Sequence, residues 1–99
     1  MFVSIDFCLI PIGKEVSISP YVGACQIIIE KFGLDYQLGP NGTAIEGEWD
    51  EVFECLQSCH QKIHEMGVNR IFSTLKINSS KNKDISFHTK LDKVKRSFL

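Results

Sequence analysis

Two cysteines and two histidines recur at helical spacing in the middle of the chain, as Cys55, Cys59, His60 and His64. Residues of these types bind transition metals when they converge on one point. At about 100° per residue, however, Cys59 lies near the centre of an apolar helix face, with Cys55 on one flank and the histidines on the other. Four ligands cannot converge from such a helix. The two histidines, four residues apart, can supply two ligands of a site completed elsewhere, but a solvated or interface pair is the more common use of this spacing, so we predict no metal site.

The sequence gives little support for a catalytic thiol or histidine, or for a phosphate-binding loop. Cys25 and Cys59 occupy apolar helix positions typical of small core residues, whereas Cys8 alternates away from the core and is the thiol most able to react. No histidine motif accompanies Cys8, so a nucleophilic role is weakly supported. The glycines form none of the loops that bind phosphate groups. We therefore predict no catalytic residue and no cofactor.

The composition is that of an ordinary globular protein, with 99 residues of which 43% are hydrophobic and 23% charged. A formal net charge of −1 argues against nucleic acid or an anionic membrane as a partner. No apolar run approaches the roughly 18 residues of a membrane span. Residues 1–6 lack the basic region of a signal peptide, so we expect a cytoplasmic protein with reduced thiols. The length predicts one domain, residues 1–99.

The elements that must position these residues are predicted from periodicity. Alternating apolar residues indicate strands, and apolar residues three and four apart indicate helices. Pro11 and Gly13 are expected to end the first strand, and Ser19 before Pro20 to cap the first helix. The predicted strands are residues 3–9, 35–38, 43–47 and 68–77. The predicted helices are 20–32, 50–66 and 85–98, and Asp84 is expected to cap the last of them. This order predicts an α+β fold, a ferredoxin-like βαββαβ sandwich with a four-stranded antiparallel sheet and a C-terminal helix.

In this arrangement both crossover helices cover one sheet face and leave the other open. If the apolar residues of the first strand face the helices, Asp6 and Cys8 face away from them. The same alternation places Glu46, Phe72 and Thr74 on the open face. Carboxylates beside an aromatic ring suit a small cationic heterocycle, although a polar dimer interface or a solvated face is the more common use of such a surface.

Several segments resemble a family of small thiamine-binding proteins, related to a two-repeat bacterial protein that binds thiamine and its hydroxymethylpyrimidine. The most specific is TAIEGEWDEV at residues 43–52, and softer matches occur at 11–13, 17–19, 64–67 and 70–77. The resemblance covers nearly the whole chain. It implies a ferredoxin-like fold, dimers that pair into tetramers by sheet-to-sheet packing, ligand sites at subunit interfaces, and no catalysis.

The resemblance therefore predicts a non-enzymatic protein that binds thiamine, or its hydroxymethylpyrimidine moiety, at an interface of a homotetramer. The aminopyrimidine would hydrogen-bond a carboxylate such as Glu46, and the thiazolium cation suits an acidic, ring-lined site. Trp49 is either a packing anchor or a wall of that pocket. The alternatives are a homo-oligomeric interaction module without a small ligand and a small enzyme that uses Cys8 or His60. The predicted ligand-binding residues are Thr43, Glu46, Gly47 and Trp49 from the family motif, and Asp6, Cys8, Phe72 and Thr74 from the open face.

Overall fold

The computed structural model describes residues 1–13 and 17–99, and its elements follow the predicted order. The sheet has the strand order β2-β3-β1-β4 with antiparallel pairing throughout. The predicted α+β, ferredoxin-like fold is confirmed. The elements are β1 (Phe2–Ile12), α1 (Ser19–Lys31), β2 (Asp35–Leu38), β3 (Thr43–Glu48), α2 (Trp49–Glu65), β4 (Arg70–Ser80) and α3 (Phe87–Phe98).

The two crossover helices end where glycine permits a left-handed backbone. Gly33 follows α1 with a φ of 71°, and Gly67 follows α2 with a φ of 93°. Pro20 lies in the first turn of α1, as predicted, but Ser19 is already helical and the N-cap is Ile18, which offers no side-chain hydrogen bond. The prediction of a Ser19 cap is therefore wrong by one residue.

The first strand does not end at Pro11 but continues to Ile12, and it pairs with β4 from Phe2 opposite Ser80 to Ile12 opposite Arg70. Its pairing with β3 stops at Phe7. Beyond Phe7, β1 therefore has a neighbour on one side only, and a proline without an N–H group is tolerated there. The expected strand end was wrong because the sequence does not show how far each neighbour extends.

The core lies between the sheet and the packed pair of α1 and α2. The predicted alternation of β1 is confirmed, because its odd-numbered apolar residues are buried. On β4, by contrast, the helices cover Ile71 but leave Leu75 and Ile77 exposed. The buried apolar residues of the core include Val3, Ile5, Phe7, Leu9, Ile29, Ile45, Val52, Cys59, Ile63 and Val68.

The third helix changes the predicted open face. Phe87, the first residue of α3, is only 8% exposed and shares a surface depression with Asp6 and Ala44 of the face opposite α1 and α2. The face expected to be open is therefore partly covered. The N-cap of α3 is Ser86, whose hydroxyl accepts from the His88 N–H, and not the predicted Asp84.

Candidate functional site

The predicted ligand-binding residues fall on opposite faces of the sheet. Thr43 and Gly47 of β3 pair with Phe7 and Val3 of β1, and these two β1 residues are buried and face the helices. Trp49 starts α2 and packs against the same core. The residues on the other face are Asp6, Cys8 and Glu46, together with Phe72 and Thr74, which pair with Ile10 and Cys8. Within the described part of one chain, these residues do not line one pocket.

The motif residues on the helix side make packing contacts. The Thr43 hydroxyl accepts a hydrogen bond from Gln26 Nε2 at 2.9 Å and is almost completely buried. A Cβ at Gly47 would lie 2.8 Å from Leu34 Cδ2, so any larger residue would push against the core. Trp49 stacks on Phe53 with ring centroids 4.5 Å apart. On this side of the sheet, packing therefore explains the residue types of the motif.

Glu46, the predicted partner of the aminopyrimidine, is 3% exposed. Its Oε1 accepts from the Ser86 hydroxyl at 2.7 Å, and its Oε2 accepts from the Phe87 N–H at 3.0 Å. The carboxylate thus satisfies the start of α3, where backbone N–H groups lack helical partners. Both oxygens of Glu46 are therefore occupied by α3, and little of the carboxylate is exposed for an aminopyrimidine ring.

Asp6 is the exposed carboxylate of β1 on this face. A Cβ at Gly42 would lie 2.9 Å from Asp6 Oδ1, so the carboxylate rests against the turn between β2 and β3. On its other side, Lys76 and Lys90 share a surface depression with it. The local charge around Asp6 is therefore mixed and not simply acidic.

A cavity of about 250 Å³ lies beside that turn, and we call it the turn cavity. Its walls are residues 7–10 of β1, the first turns of α1 with Ile18, Val22 and Cys25, and residues 38–42. The turn is closed by a hydrogen bond of 2.8 Å from the Gly39 N–H to the Gly42 carbonyl. Most lining side chains are apolar, which suits a flat ring. Of the predicted residues, Cys8 lines this cavity, and Asp6 touches its Gly42 wall.

Gln26 carries a polar atom that the sequence did not single out. It follows Cys25, a lining residue of the turn cavity, and its Nε2 donates to Thr43. Its Oε1 is buried and has no hydrogen-bond partner among the described residues. Buried polar atoms are nearly always paired, so this amide oxygen has spare hydrogen-bonding capacity, although Gln26 itself does not line the turn cavity.

The cysteine and histidine run of α2 makes internal contacts. Cys55 and Cys59 are buried beside Cys25, and hydrogen bonds with Cys25 and Cys55, together with burial, raise the pKa of the Cys59 thiol. A 2.8 Å hydrogen bond joins His60 Nε2 to the Ser73 hydroxyl, and His64 Nδ1 donates to the Val68 carbonyl at 2.8 Å. Burial and the neighbouring His64 lower the pKa of His60. These side chains join α2 to β4 and to the turn after α2.

No helix in the described ranges has both the length and the apolar character that crossing a bilayer requires.

A family model for thiamine-binding proteins matches residues 5–95. The UPF0045 protein sll0230 of Synechocystis sp. is 36% identical over 94 residues, which cover 95% of this chain and 78% of that protein. The UPF0045 protein MJ1052 of Methanocaldococcus jannaschii is 31% identical over 86 residues, which cover 87% of this chain and 85% of that protein.

Solved structures show the same fold. The crystal structure of MJ1052 superposes with a TM-score of 0.84 at 30% identity and covers 95% of this chain and 96% of that one. A Thermotoga maritima protein described as a candidate thiamine biosynthesis/salvage protein superposes with a TM-score of 0.81 at 20% identity, with coverages of 95% and 99%. Since the family model spans nearly all of the sequence, this chain belongs to the thiamine-binding protein family.

Proposed function

We propose that this protein binds thiamine, or its hydroxymethylpyrimidine moiety, without transforming it, and that the pyrimidine ring occupies the turn cavity. The observation that carries the proposal is an apolar cavity of about 250 Å³ in a chain whose family is one of thiamine-binding proteins. Pockets for drug-sized ligands usually measure about 300–1,000 Å³, so this cavity suits one ring and leaves the second ring outside. The description of the Thermotoga maritima relative points to the same vitamin.

The thiazolium ring would then lie at the cavity mouth, where its positive charge needs a partner. Asp6 is the carboxylate that contacts the cavity wall, through Gly42. Phe72 pairs with Ile10, a lining residue, and its ring is 57% exposed. Ile10 lies four residues beyond Asp6 on β1, about 13 Å in an extended strand, so the Asp6 carboxylate partners the cation and Phe72 lines the far rim of the mouth. In this proposal Asp6 partners the thiazolium, and Glu46 does not hold the aminopyrimidine because its oxygens bind α3.

We also propose that a second copy of the chain closes the mouth. Large apolar side chains surround it, since Ile10, Ile18, Leu38 and Phe72 are all exposed. An apolar patch of this kind is typical of a surface that is covered in the assembled protein. A dimer of dimers, as the family resemblance implies, would put the ligand at a subunit interface. The free cysteines of the described chain suit the reducing cytoplasm, where we expect the protein to act.

Calorimetry and thermal denaturation with two ligands test this proposal. Thiamine and hydroxymethylpyrimidine should both raise the melting temperature by mass action, and a neutral aromatic compound of similar size should not. Asp6→Asn should weaken thiamine binding about fivefold, which corresponds to the roughly 1 kcal/mol of a partly solvated ion pair. The same variant should leave hydroxymethylpyrimidine, which lacks the thiazolium, nearly unaffected. Asp92→Asn, an exposed change on α3, is the matched control.

Native mass spectrometry of the same samples separates this function from its main alternative. It reports the oligomer and any ligand that co-purifies. An intact oligomer that binds neither compound at millimolar concentration would contradict thiamine binding and favour an interaction module without a small ligand. An equal loss of affinity for both ligands in Asp6→Asn would contradict the placement of the cation beside this carboxylate.

A further inference from the structure

A cluster of three potential metal ligands lies at the other end of the β2–β3 pair, away from the turn cavity. Asp35, Glu46 and His88 each place one ligand atom within 4.8 Å of the other two. Asp35 and Glu46 are direct partners in the β2–β3 ladder, and His88 is the second residue of α3. Three separate elements therefore bring these donors together.

The charges of this cluster are not balanced by the protein. Like charges directly opposite each other on neighbouring strands destabilise a sheet, and Asp35 and Glu46 form such a pair. Glu46 is buried, yet the Ser86 hydroxyl and the Phe87 N–H that it accepts from are both neutral donors. Among residues 1–13 and 17–99, no ion pair is formed by Glu46. Buried carboxylates are normally paired with a cation or coordinate a metal.

The adjoining cavity adds to this imbalance. It measures about 280 Å³ and opens beside Asp35 and Glu46, with Glu48 and Glu51 also in its wall and Lys83 as the basic lining residue. Glu48 is paired with the terminal amino group at 3.0 Å, which leaves three carboxylates against the one ammonium group of Lys83 and a negative potential that attracts cations. The cavity also gives water and ions a path to the cluster.

We propose that Asp35, Glu46 and His88 bind a divalent transition metal ion of the zinc type. Two carboxylate oxygens and one imidazole nitrogen are a donor set that Zn²⁺ accepts, with water from the cavity in the remaining position. The histidine disfavours Mg²⁺ and Ca²⁺, which prefer oxygen ligands throughout. The sequence did not predict this site because its residues are far apart along the chain and belong to no spacing motif.

The geometry of Glu46 is compatible with this role. Each carboxylate oxygen has two lone-pair sites, and each oxygen of Glu46 uses one for α3, so one remains on each. Hydrogen bonds of this kind hold a ligating carboxylate in a fixed orientation. Zinc bonds of about 2.0 Å require donors roughly 3.3 Å apart. Asp35 and His88 are exposed, and their side chains can make that short inward movement.

Metal titration of chelator-treated, metal-free protein tests the proposal. Zn²⁺ and Co²⁺ should bind one ion per chain by calorimetry, and Mg²⁺ should not compete. Asp35→Asn and His88→Ala should each weaken Zn²⁺ binding at least tenfold. His64→Gln is the matched control, since its Nδ1 already donates to a backbone carbonyl and lies outside the cluster. Circular dichroism of every variant confirms that the fold is retained.

The Co²⁺ spectrum identifies the ligands. Binding through oxygen and nitrogen should give weak visible bands without the intense near-ultraviolet band of a cobalt–thiolate bond. A thiolate band, or affinity that is unchanged in both Asp35→Asn and His88→Ala, would overturn the proposal. An absence of binding at micromolar Zn²⁺ would overturn it as well. None of these outcomes affects the thiamine proposal, because the turn cavity shares no lining residue with the cluster.

Discussion

Replacing Glu46 with glutamine should release the first turn of α3 from the sheet. The wild-type carboxylate accepts two hydrogen bonds from α3, from the Ser86 hydroxyl and the Phe87 N–H. Glutamine keeps one acceptor oxygen but presents an NH₂ group where the second oxygen stood. One donor of α3 therefore loses its partner, and the other loses the charge of its acceptor.

Two hydrogen bonds to a charged acceptor are replaced by one neutral bond, so at the lower end of the usual ranges the expected cost is about 2 kcal/mol. Hydrogen bonds to charged groups contribute about 1.5–3 kcal/mol each, whereas neutral ones contribute about 1 kcal/mol. Beyond its first turn, α3 has few anchors, since Val94 and Phe98 are exposed. The cost should therefore appear mainly as local opening of α3 and less as global unfolding. At 1.4 kcal/mol per factor of ten, the opening constant of α3 should rise about 30-fold.

Native-state hydrogen exchange of the metal-free protein measures this effect directly. The amides of α3, beginning with Lys90, whose N–H donates to the Ser86 carbonyl, should lose protection about 30-fold, while those of α2 should change little. Glu48→Gln is the matched control, because Glu48 is 57% exposed and, within residues 1–13 and 17–99, its side chain bonds only the terminal amino group. Unchanged protection of α3 in Glu46→Gln, or an equal loss in Glu48→Gln, would refute the anchoring role of Glu46.

Two further predictions concern the core and the pH dependence of stability. Gly47→Ala should lower the free energy of unfolding in urea by about 1 kcal/mol, because the new Cβ would lie 2.8 Å from Cδ2 of the buried Leu34, whose side chain must shift. Gly23→Ala in helix α1 is the control, because a Cβ there would meet no atom within 4 Å, and it should stabilise the protein by about 0.5–1 kcal/mol. Equal effects of the two changes on the free energy of unfolding would contradict the steric explanation. Because the pKa of His60 is lowered in the fold, the unfolded chain takes up the proton first. Stability should therefore fall as the pH drops below about 6.5, and His60→Gln should reduce that slope in urea titrations between pH 8 and pH 5, whereas an unchanged slope would contradict it.

Much of the fold follows from local patterns. Alternation in β1 places its odd-numbered apolar residues in the core, and the glycines after α1 and α2 end those helices where the sequence predicts. The facing of Asp6, Cys8 and Phe72 follows from the same alternation. The sequence does not show how far each strand pairing extends, and the prediction of a strand end at Pro11 is wrong for that reason.

The candidate site was harder to predict, because its geometry depends on distant contacts. Glu46 is buried by residues 40 and 41 positions further along the chain, and no local pattern indicates that contact. The turn cavity likewise forms only when the 39–42 turn meets the start of α1. A face assignment by alternation therefore identified which side chains share a surface, but not which of them a third element would cover.

The four thiols can report the opening of the core without any ligand. Cys25, Cys55 and Cys59 are sealed between α1 and α2, whereas Cys8 is partly accessible. A thiol-modifying reagent should therefore meet one fast site and three slow ones in the native protein. The three slow sites react when the two helices separate, so the increase in mass of the modified chain over time measures the rate at which the core opens.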